Sequence, residues 1–560
     1  MRWLVPLFVV ALVGVALAPA AAAAPADDAT VETADDATVE TADDATVETA
    51  DDVRPDPAND TLGWEDGYWY DDPLPAVDPT DGLNQTELDK VVARSMARVE
   101  HIREVEFEKT VPVSLIDRDT FKQRYASGDG GGVPPAYRAF DNAKWEAIFA
   151  INESADSIAV ANRNRGATVG GFYSPSEDRI VVVSDNTETP QLSEVTLSQE
   201  LFHALQDQRF GYDALNYATR EGHNTADGVV EGDGNYVDSL YSQQCEEEWN
   251  CLTDTGGEDS SGGGTSINFG RYFVTFQPYS DGPKYVKAVR ERGGWEAVNA
   301  LYDNPPVSSA AVAEVDLDET QPQTVTIEDQ TAGDWQRVEV NGRPSYAKLG
   351  QPGVAAMFVR PLYNDANPDT WVVDPRNWLN RTETGELADD PLNYSVSVAD
   401  GWDGDRLHVY RNADNETGYV WRIAWESEAD AREFVDGYRQ LLGHYGGDQV
   451  GDDTYVIPDS GFADAFQIRR SGDTVTIVNA PTLDDLTQVR TSASSVSTAT
   501  EATPTPGRTA SPTPAVGDSP TPTPTATAGE ETATRTPGFG AVVALVALLA
   551  AAGLARRRDP

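Results

Sequence analysis

Lysine is nearly missing from this chain of 560 residues: seven occur, and none follows Lys348. Arginine supplies most of the remaining positive charge, yet 93 acidic residues against 41 basic ones leave a formal net charge of −52. A field of that sign repels nucleic acid and anionic membrane surfaces, so neither is expected as a partner. Cysteine is scarce as well. Cys245 and Cys251, in "CEEEWNC", are the whole supply, which excludes a Cys-only metal site. Their spacing allows a short loop closed by a disulfide, provided the segment turns instead of running on as helix. An exported protein permits that bond.

The aromatic content of 9% argues against an acidic disordered chain. A folded chain this acidic resembles proteins of salt-loving archaea, where multimolar salt screens self-repulsion. Complexity is low at both ends, while the middle mixes residue types as a globular region does.

Both ends read as addresses. Met1-Arg2 precedes "WLVPLFVVALVGVALAPAAAAAPA", so residues 1–24 read as a secretory signal peptide. No Cys follows to make a lipoprotein anchor. Residues 25–80 contain three copies of "DDATVETA", with nothing to bury, and read as a solvated acidic spacer. Residues 491–536 form a Thr/Pro-rich stalk, extended and suited to O-linked sugar. Six Asn-x-Ser/Thr sequons, at Asn59, Asn84, Asn152, Asn380, Asn393 and Asn415, are further glycosylation candidates in an exported protein. Residues 537–560 begin with Pro537-Gly538-Phe539, continue apolar to Ala555 and end in Arg556-Arg557-Arg558 before the last two residues. The apolar part is somewhat short for a free-standing span of about 20 residues. Small motif, short hydrophobic helix and basic stop follow the logic of a sorting tail that is cut and replaced. The alternative is an ordinary C-terminal anchor held by the arginines. The tail resembles the PGF sorting signal of haloarchaeal surface proteins, which implies an archaeosortase as processing partner and attachment at the outer face of the cell.

The globular region divides by pattern into 81–323, largely helical, and 324–490, where strands take over. "LNQTELDKVVARSMARVEHIREVEF" has helical spacing after an Asn/Thr start. "TVPVSLI" alternates like a strand, a helix is expected around "YRAFDNAKWEAIFAI", and "VGGFYSPSEDRIVVVSD" reads as a hairpin. Near the end, strands, one helix and a closing hairpin are expected. The fold class is α+β.

The chemistry concentrates in "TLSQELFHALQDQRFG", Thr196 to Gly211. On a helical wheel Leu197, Leu201, Ala204 and Leu205 share one face, and Gln199, His203 and Gln206 the other. One reading is a plain amphipathic helix, with Glu200 and Asp207 as solvated carboxylates. The other is a metal site. Ligands at i and i+4 project from one helix face, and a Glu after the first can take a proton from bound water. Those positions are Gln199, His203 and Glu200. A later segment, "NTADGVVEGDGNYVDSLYSQQ", offers Glu231 as third ligand, with Asp233 behind it. Gly228, Gly232 and Gly234 weaken that segment as a helix and suggest close approach of another backbone.

"SQELFHALQDQRF" followed by "VEGDG" is similar to zinc metallopeptidases of the gluzincin type. Their helix reads His-Glu-Leu-x-His-Ala-Leu-Gln-Asp-Gln, and a later Glu-Gly-Asp-Ala supplies the third ligand. "HIREVEFEKTVPV", "GGFYSPSEDRIVVV", "DGWDGDRLHVY" and "WESEADAREFVDGY" look like the same family's flanking segments. The resemblance implies a helix-rich zincin-like domain with a short β-sheet, followed by a smaller α+β subdomain. It implies Glu200 as general base and His203 and Glu231 as zinc ligands. Gln199 departs from the pattern: a neutral amide oxygen is a much poorer zinc ligand than imidazole. Its presence removes several of the roughly 10–16 kcal/mol that a full structural site supplies. His223, in "REGHNTADG", either swings in to help or is a surface loop histidine.

The expectation is therefore a surface-anchored envelope protein with a degenerate metallopeptidase-like domain, binding or structural, needing no cofactor. An active zinc peptidase with Gln199 in the ligand set is the first alternative. An adhesin or envelope-layer component is the second. A peptide or protein ligand of unstated identity belongs to either binding reading.

Overall fold

The computed structural model describes residues 54–73, 77, 82–126, 132–184, 193–252, 267–318, 320–364, 371–385 and 387–493. The signal segment, most of the spacer, the stalk and the Pro537-Gly538-Phe539 tail lie outside the described residues. No described helix is long and apolar enough to cross a membrane.

The architecture is α+β. In the N-terminal half, long helices surround a three-stranded sheet in the order Val113–Asp117, Arg179–Ser184, Gly171–Ser174. The first pair is parallel and the second is the expected hairpin. Gln85–Arg103 starts with a full capping box, in which Asn84 and Glu87 satisfy each other's backbone donors. The glycine-containing segment is not a weak helix but an unbroken one, Arg220–Glu247. Its glycines are contact points. A Cβ at Gly232 would lie 2.7 Å from the Gly282 backbone, and one at Gly228 would lie 3.1 Å from Val312. The Phe269–Ala300 helix thus crosses it with almost no side chain between the two backbones. Beyond Glu247 the chain turns, and Cys245 and Cys251 are bonded, with Cα atoms 5.5 Å apart.

The C-terminal half is built on a seven-stranded antiparallel sheet. Its order is Asp448–Gly451, Thr454–Val456, Ala465–Ser471, Thr474–Ala480, Thr417–Trp425, Trp402–Arg411, Gln336–Arg337. The alternation in "TGYVWRIAW" sends Tyr419, Trp421, Ile423 and Trp425 to one face, where Glu428–His444 supplies Phe434, Tyr438 and Leu441. Val420 points to the other face, covered by Trp335 and by the Leu483–Val489 helix that follows the closing hairpin. That last helix has too few residues to show a period in the sequence. The large core also takes in Phe140, Trp145 and Phe149, and Phe273 from the Phe269–Ala300 helix. The helical and sheet halves therefore share apolar packing.

Candidate functional site

The helix carrying Gln199, Glu200 and His203 runs Glu194–Arg209. Ser193 caps it, and the apolar face (Leu197, Leu201, Ala204, Leu205) is fully buried. Its first residue sits in a buried ionic knot. Glu194 accepts from Arg94 at 2.6 Å, Arg98 at 2.7 Å, the Tyr241 hydroxyl at 2.7 Å and the Leu252 amide at 2.8 Å. Leu252 follows the disulfide, so the bridge, the end of the Arg220–Glu247 helix and the start of the Glu194–Arg209 helix are tied together.

The polar face of this helix is not solvated. Gln199, Glu200, His203 and Gln206 are all buried, which corrects the amphipathic-surface reading. Asp207 is half-buried and accepts from Tyr173 at 2.9 Å. Glu200 lies against the Gly171–Ser174 strand: a Cβ on Gly171 would be 3.4 Å from its Oε1. Burial pushes the Glu200 carboxyl up to about 8, with the charge of Asp238 acting in the same direction.

The tautomer of His203 follows from its neighbours. Gln206 Nε2 donates to the Val230 carbonyl at 2.8 Å, a pure acceptor, so the amide oxygen faces His203 Nδ1 at 2.7 Å. Nδ1 must carry the hydrogen, and burial holds the imidazole neutral, down at about 4. Nε2 is left with a lone pair, directed at Glu231 Oε2 3.5 Å away. Two acceptors thus meet, an arrangement that a proton or a cation reconciles. Glu231 also engages the Tyr279 hydroxyl. Gly234 makes room for the ring, since a Cβ there would lie 2.9 Å from His203 Cε1.

Asp233 joins His203 through a chain of hydrogen bonds. Arg103 reaches it at 3.0 Å and the Tyr302 hydroxyl at 2.8 Å, and Tyr302 is also 2.6 Å from Gln206 Nε2. A continuous chain therefore runs Arg103, Asp233, Tyr302, Gln206, His203. Of these, Gln206 was recoverable from sequence, three residues after His203 on the same face. Arg103, Tyr279 and Tyr302 carried no such signal, because they arrive from the Gln85–Arg103 helix, the Phe269–Ala300 helix and the turn after the latter.

Gln199 is buried, and neither amide atom bonds to a described residue. His223 is not in a surface loop. It lies in the first turn of Arg220–Glu247, half-buried, with its ring edge-on to Tyr217 at 5.0 Å. Among the described residues no three His, Cys, Asp or Glu side chains gather as a metal-holding set.

Comparison with known proteins bears on the two ends of the argument. A model described as a domain of unknown function (DUF8575) matches residues 336–490, the seven-stranded-sheet region. No curated protein and no solved structure matches the chain. The PGF-CTERM motif matches residues 536–558. The chain thus carries an archaeal surface-protein sorting signal, read by an archaeosortase, and is exported and anchored through its C-terminus at the cell surface.

Proposed function

We propose that the helical half is a degenerate metallopeptidase-like domain that holds an extended peptide without hydrolysing it, displayed at the cell surface by its sorted tail. The observation that carries this reading is the pairing of His203 and Glu231 from two helices, with an amide where a third strong donor belongs. His203 presents a lone pair and Glu231 a carboxylate oxygen 3.5 Å apart, the relation expected of two ligands that once shared a metal. Gln199 is buried on the same helix, one turn before His203. One imidazole, one carboxylate and one amide oxygen fit a catalytic zinc poorly. We assign no reaction step to Glu200.

One observation favours the second reading, an active zinc peptidase: the Gln199 amide oxygen has no bonding partner among the described residues, as a weak ligand would require. Zinc content decides between them. The ectodomain is purified folded in high salt beside a Gln199→His variant, and both are assayed for bound zinc. The expected result is no zinc in the native protein and close to one equivalent in the variant. Close to one equivalent in the native protein would overturn the proposal and make Gln199 a ligand.

A further inference from the structure

In a chain of net charge −52, cations gather in one place that the His203–Glu231 site does not use. Arg220, His223 and Asp227 form a half-buried stripe along the Arg220–Glu247 helix, which leads to Glu231 one turn further on. Arg271, Thr275 and Tyr279 form a similar stripe on Phe269–Ala300, ending at the Glu231 partner Tyr279. The two helices are held together there by Asn224, which donates to the Val274 carbonyl at 2.8 Å. From the Pro135–Glu146 helix, Lys144 bonds Asp141, and Arg271 Nη1 approaches the same carboxylate at 4.0 Å. Arg343 closes the ring, with its guanidinium over Tyr137 at 4.6 Å and a hydrogen bond to the Ala218 carbonyl at 3.4 Å.

Among the described residues, four cations (Lys144, Arg220, Arg271 and Arg343) here face Asp141 and Asp227, and the charge of Glu221, a carboxylate that already accepts from Ser309, also acts on Arg220. They are neither free in solvent nor sealed: the Lys144, Arg220 and Arg271 side chains are 11%, 15% and 15% exposed. Arg271 Nη1 is buried and makes no hydrogen bond to a described residue. A surplus of partly desolvated positive charge is costly unless an anion completes it. The electrostatics agree. Burial holds the Lys144 amine down to about 8 against the pull of Asp141, with Arg271 beside it acting in the same direction as burial. Burial, then Arg220, Lys144 and Arg343, keep His223 neutral.

We propose that Lys144, Arg220, Arg271 and Arg343 form an anion-recognition subsite that takes a carboxylate of an extended peptide whose other end reaches Glu231. This rests on the peptide-holding reading given above. The helical rise puts Arg220 about 16 Å and Arg271 about 12 Å along their helices from Glu231 and Tyr279. Five extended residues span about 17 Å, so one peptide covers both places. Arg matches a carboxylate with two parallel donors, and partly buried contacts of this kind survive the salt that screens surface charge. The carboxylate is either a C-terminus or an acidic side chain.

The test is calorimetric titration of the folded ectodomain, in high salt, with three six-residue peptides. The first alternates Ala and Glu with both ends blocked. The second alternates Ala and Gln with a free C-terminal carboxylate, and the third is that Ala/Gln peptide with both ends blocked. One or both charged peptides should bind at least about tenfold tighter than the neutral one, which is about 1.4 kcal/mol. Which of them does identifies the source of the carboxylate. Arg271→Gln should abolish the preference, bringing the charged peptides to the affinity of the neutral one. Arg343→Gln, a change in a half-exposed loop side chain, should do the same if the first variant fails to fold. Equal binding of all three peptides would overturn the subsite while leaving a peptide cleft. A preference that survives both substitutions would overturn it too. Binding of none would sink the peptide reading itself, and the subsite with it.

Discussion

The two halves of the molecule bury different things. In the seven-stranded-sheet half the interior is aromatic, with Trp378, Trp421, Trp425, Phe434 and Tyr438 all fully buried. Its buried acidic groups, among the described residues, are Asp390 and Asp405, and burial keeps its His408 neutral. The helical half buries the ionic groups Arg94, Arg98, Arg103, Glu194, Asp233 and Glu231, besides Glu200 and His203, which burial keeps neutral. Burying charge stabilises a fold weakly at best, because desolvation offsets most of the attraction. A region needing only stability would resemble the sheet half. The helical half keeps a costly ionic interior, and part of it ties down the helices that carry His203 and Glu231. Its ionic groups are therefore best understood as positioning devices. Arg94 and Arg98 fix where one helix begins, and Arg103 with Asp233 and Tyr302 fixes the histidine.

This contrast can be broken most directly at Glu194. Glu194→Ala leaves Arg94 and Arg98 buried without their partner and should cost about 3–5 kcal/mol, read by denaturant unfolding. Asp405, in the sheet half, accepts from the neutral donors Leu349 N, Gly350 N and Trp421 Nε1 at 2.9–3.1 Å. Asp405→Asn keeps an oxygen for two of those donors, sets an NH2 against the third, and should cost about 1–3 kcal/mol, less than the Glu194 change. Equal losses at the two sites would erase the distinction between the halves. Next in size is the disulfide. Cys251→Ser should cost about 2 kcal/mol on the chain-entropy model. It should also speed amide exchange around Leu252 and Glu194 without touching the sheet.

The smallest expected effect is local and depends on pH. Glu65, in the short Trp64–Glu65 strand, and Glu100, on the Gln85–Arg103 helix, form a buried carboxyl pair. Burial pushes both above the ordinary 4.5; for Glu65 the neighbouring Glu100 charge, with Asp60 and Asp66, pushes further. The Gly63 and Phe107 amides donate to Glu100 and oppose the rise there. The folded state thus holds protons that the unfolded segment releases above about 4.5. Docking of the hairpin in which Trp64–Glu65 pairs with Tyr68–Trp69 is strongest below that pH and weakens as pH rises through the raised values. Hydrogen exchange at Trp64–Trp69 should quicken with pH beyond its intrinsic rate, and Glu65→Gln should flatten that excess. An excess unchanged in the variant would assign it to another group.

Local rules were legible where neighbours in sequence are neighbours in space. The Asn84 cap, the hairpin at "SPSED" and the alternation of the Thr417–Trp425 strand all follow from spacing alone. So does the pairing of Cys245 with Cys251, once the helix stops at Glu247. The glycines at 232 and 234 were correctly suspect, but as contact points in a long helix and not as breaks. Periodicity could separate the two faces of the Glu194–Arg209 helix and could not say that the polar face is buried. Burial depends on what other helices bring.

By itself the sequence determined the address of this protein, from the PGF tail, and its acidity, because those properties are read in linear order. It also determined which residue types stand on the Glu194–Arg209 helix, including the amide at 199. Only the tertiary structure decided that His203 meets Glu231, that its lone pair is on Nε2, and that four cations converge further along the same helix pair. Those relations join segments tens to hundreds of residues apart, and packing alone fixes the distances between them.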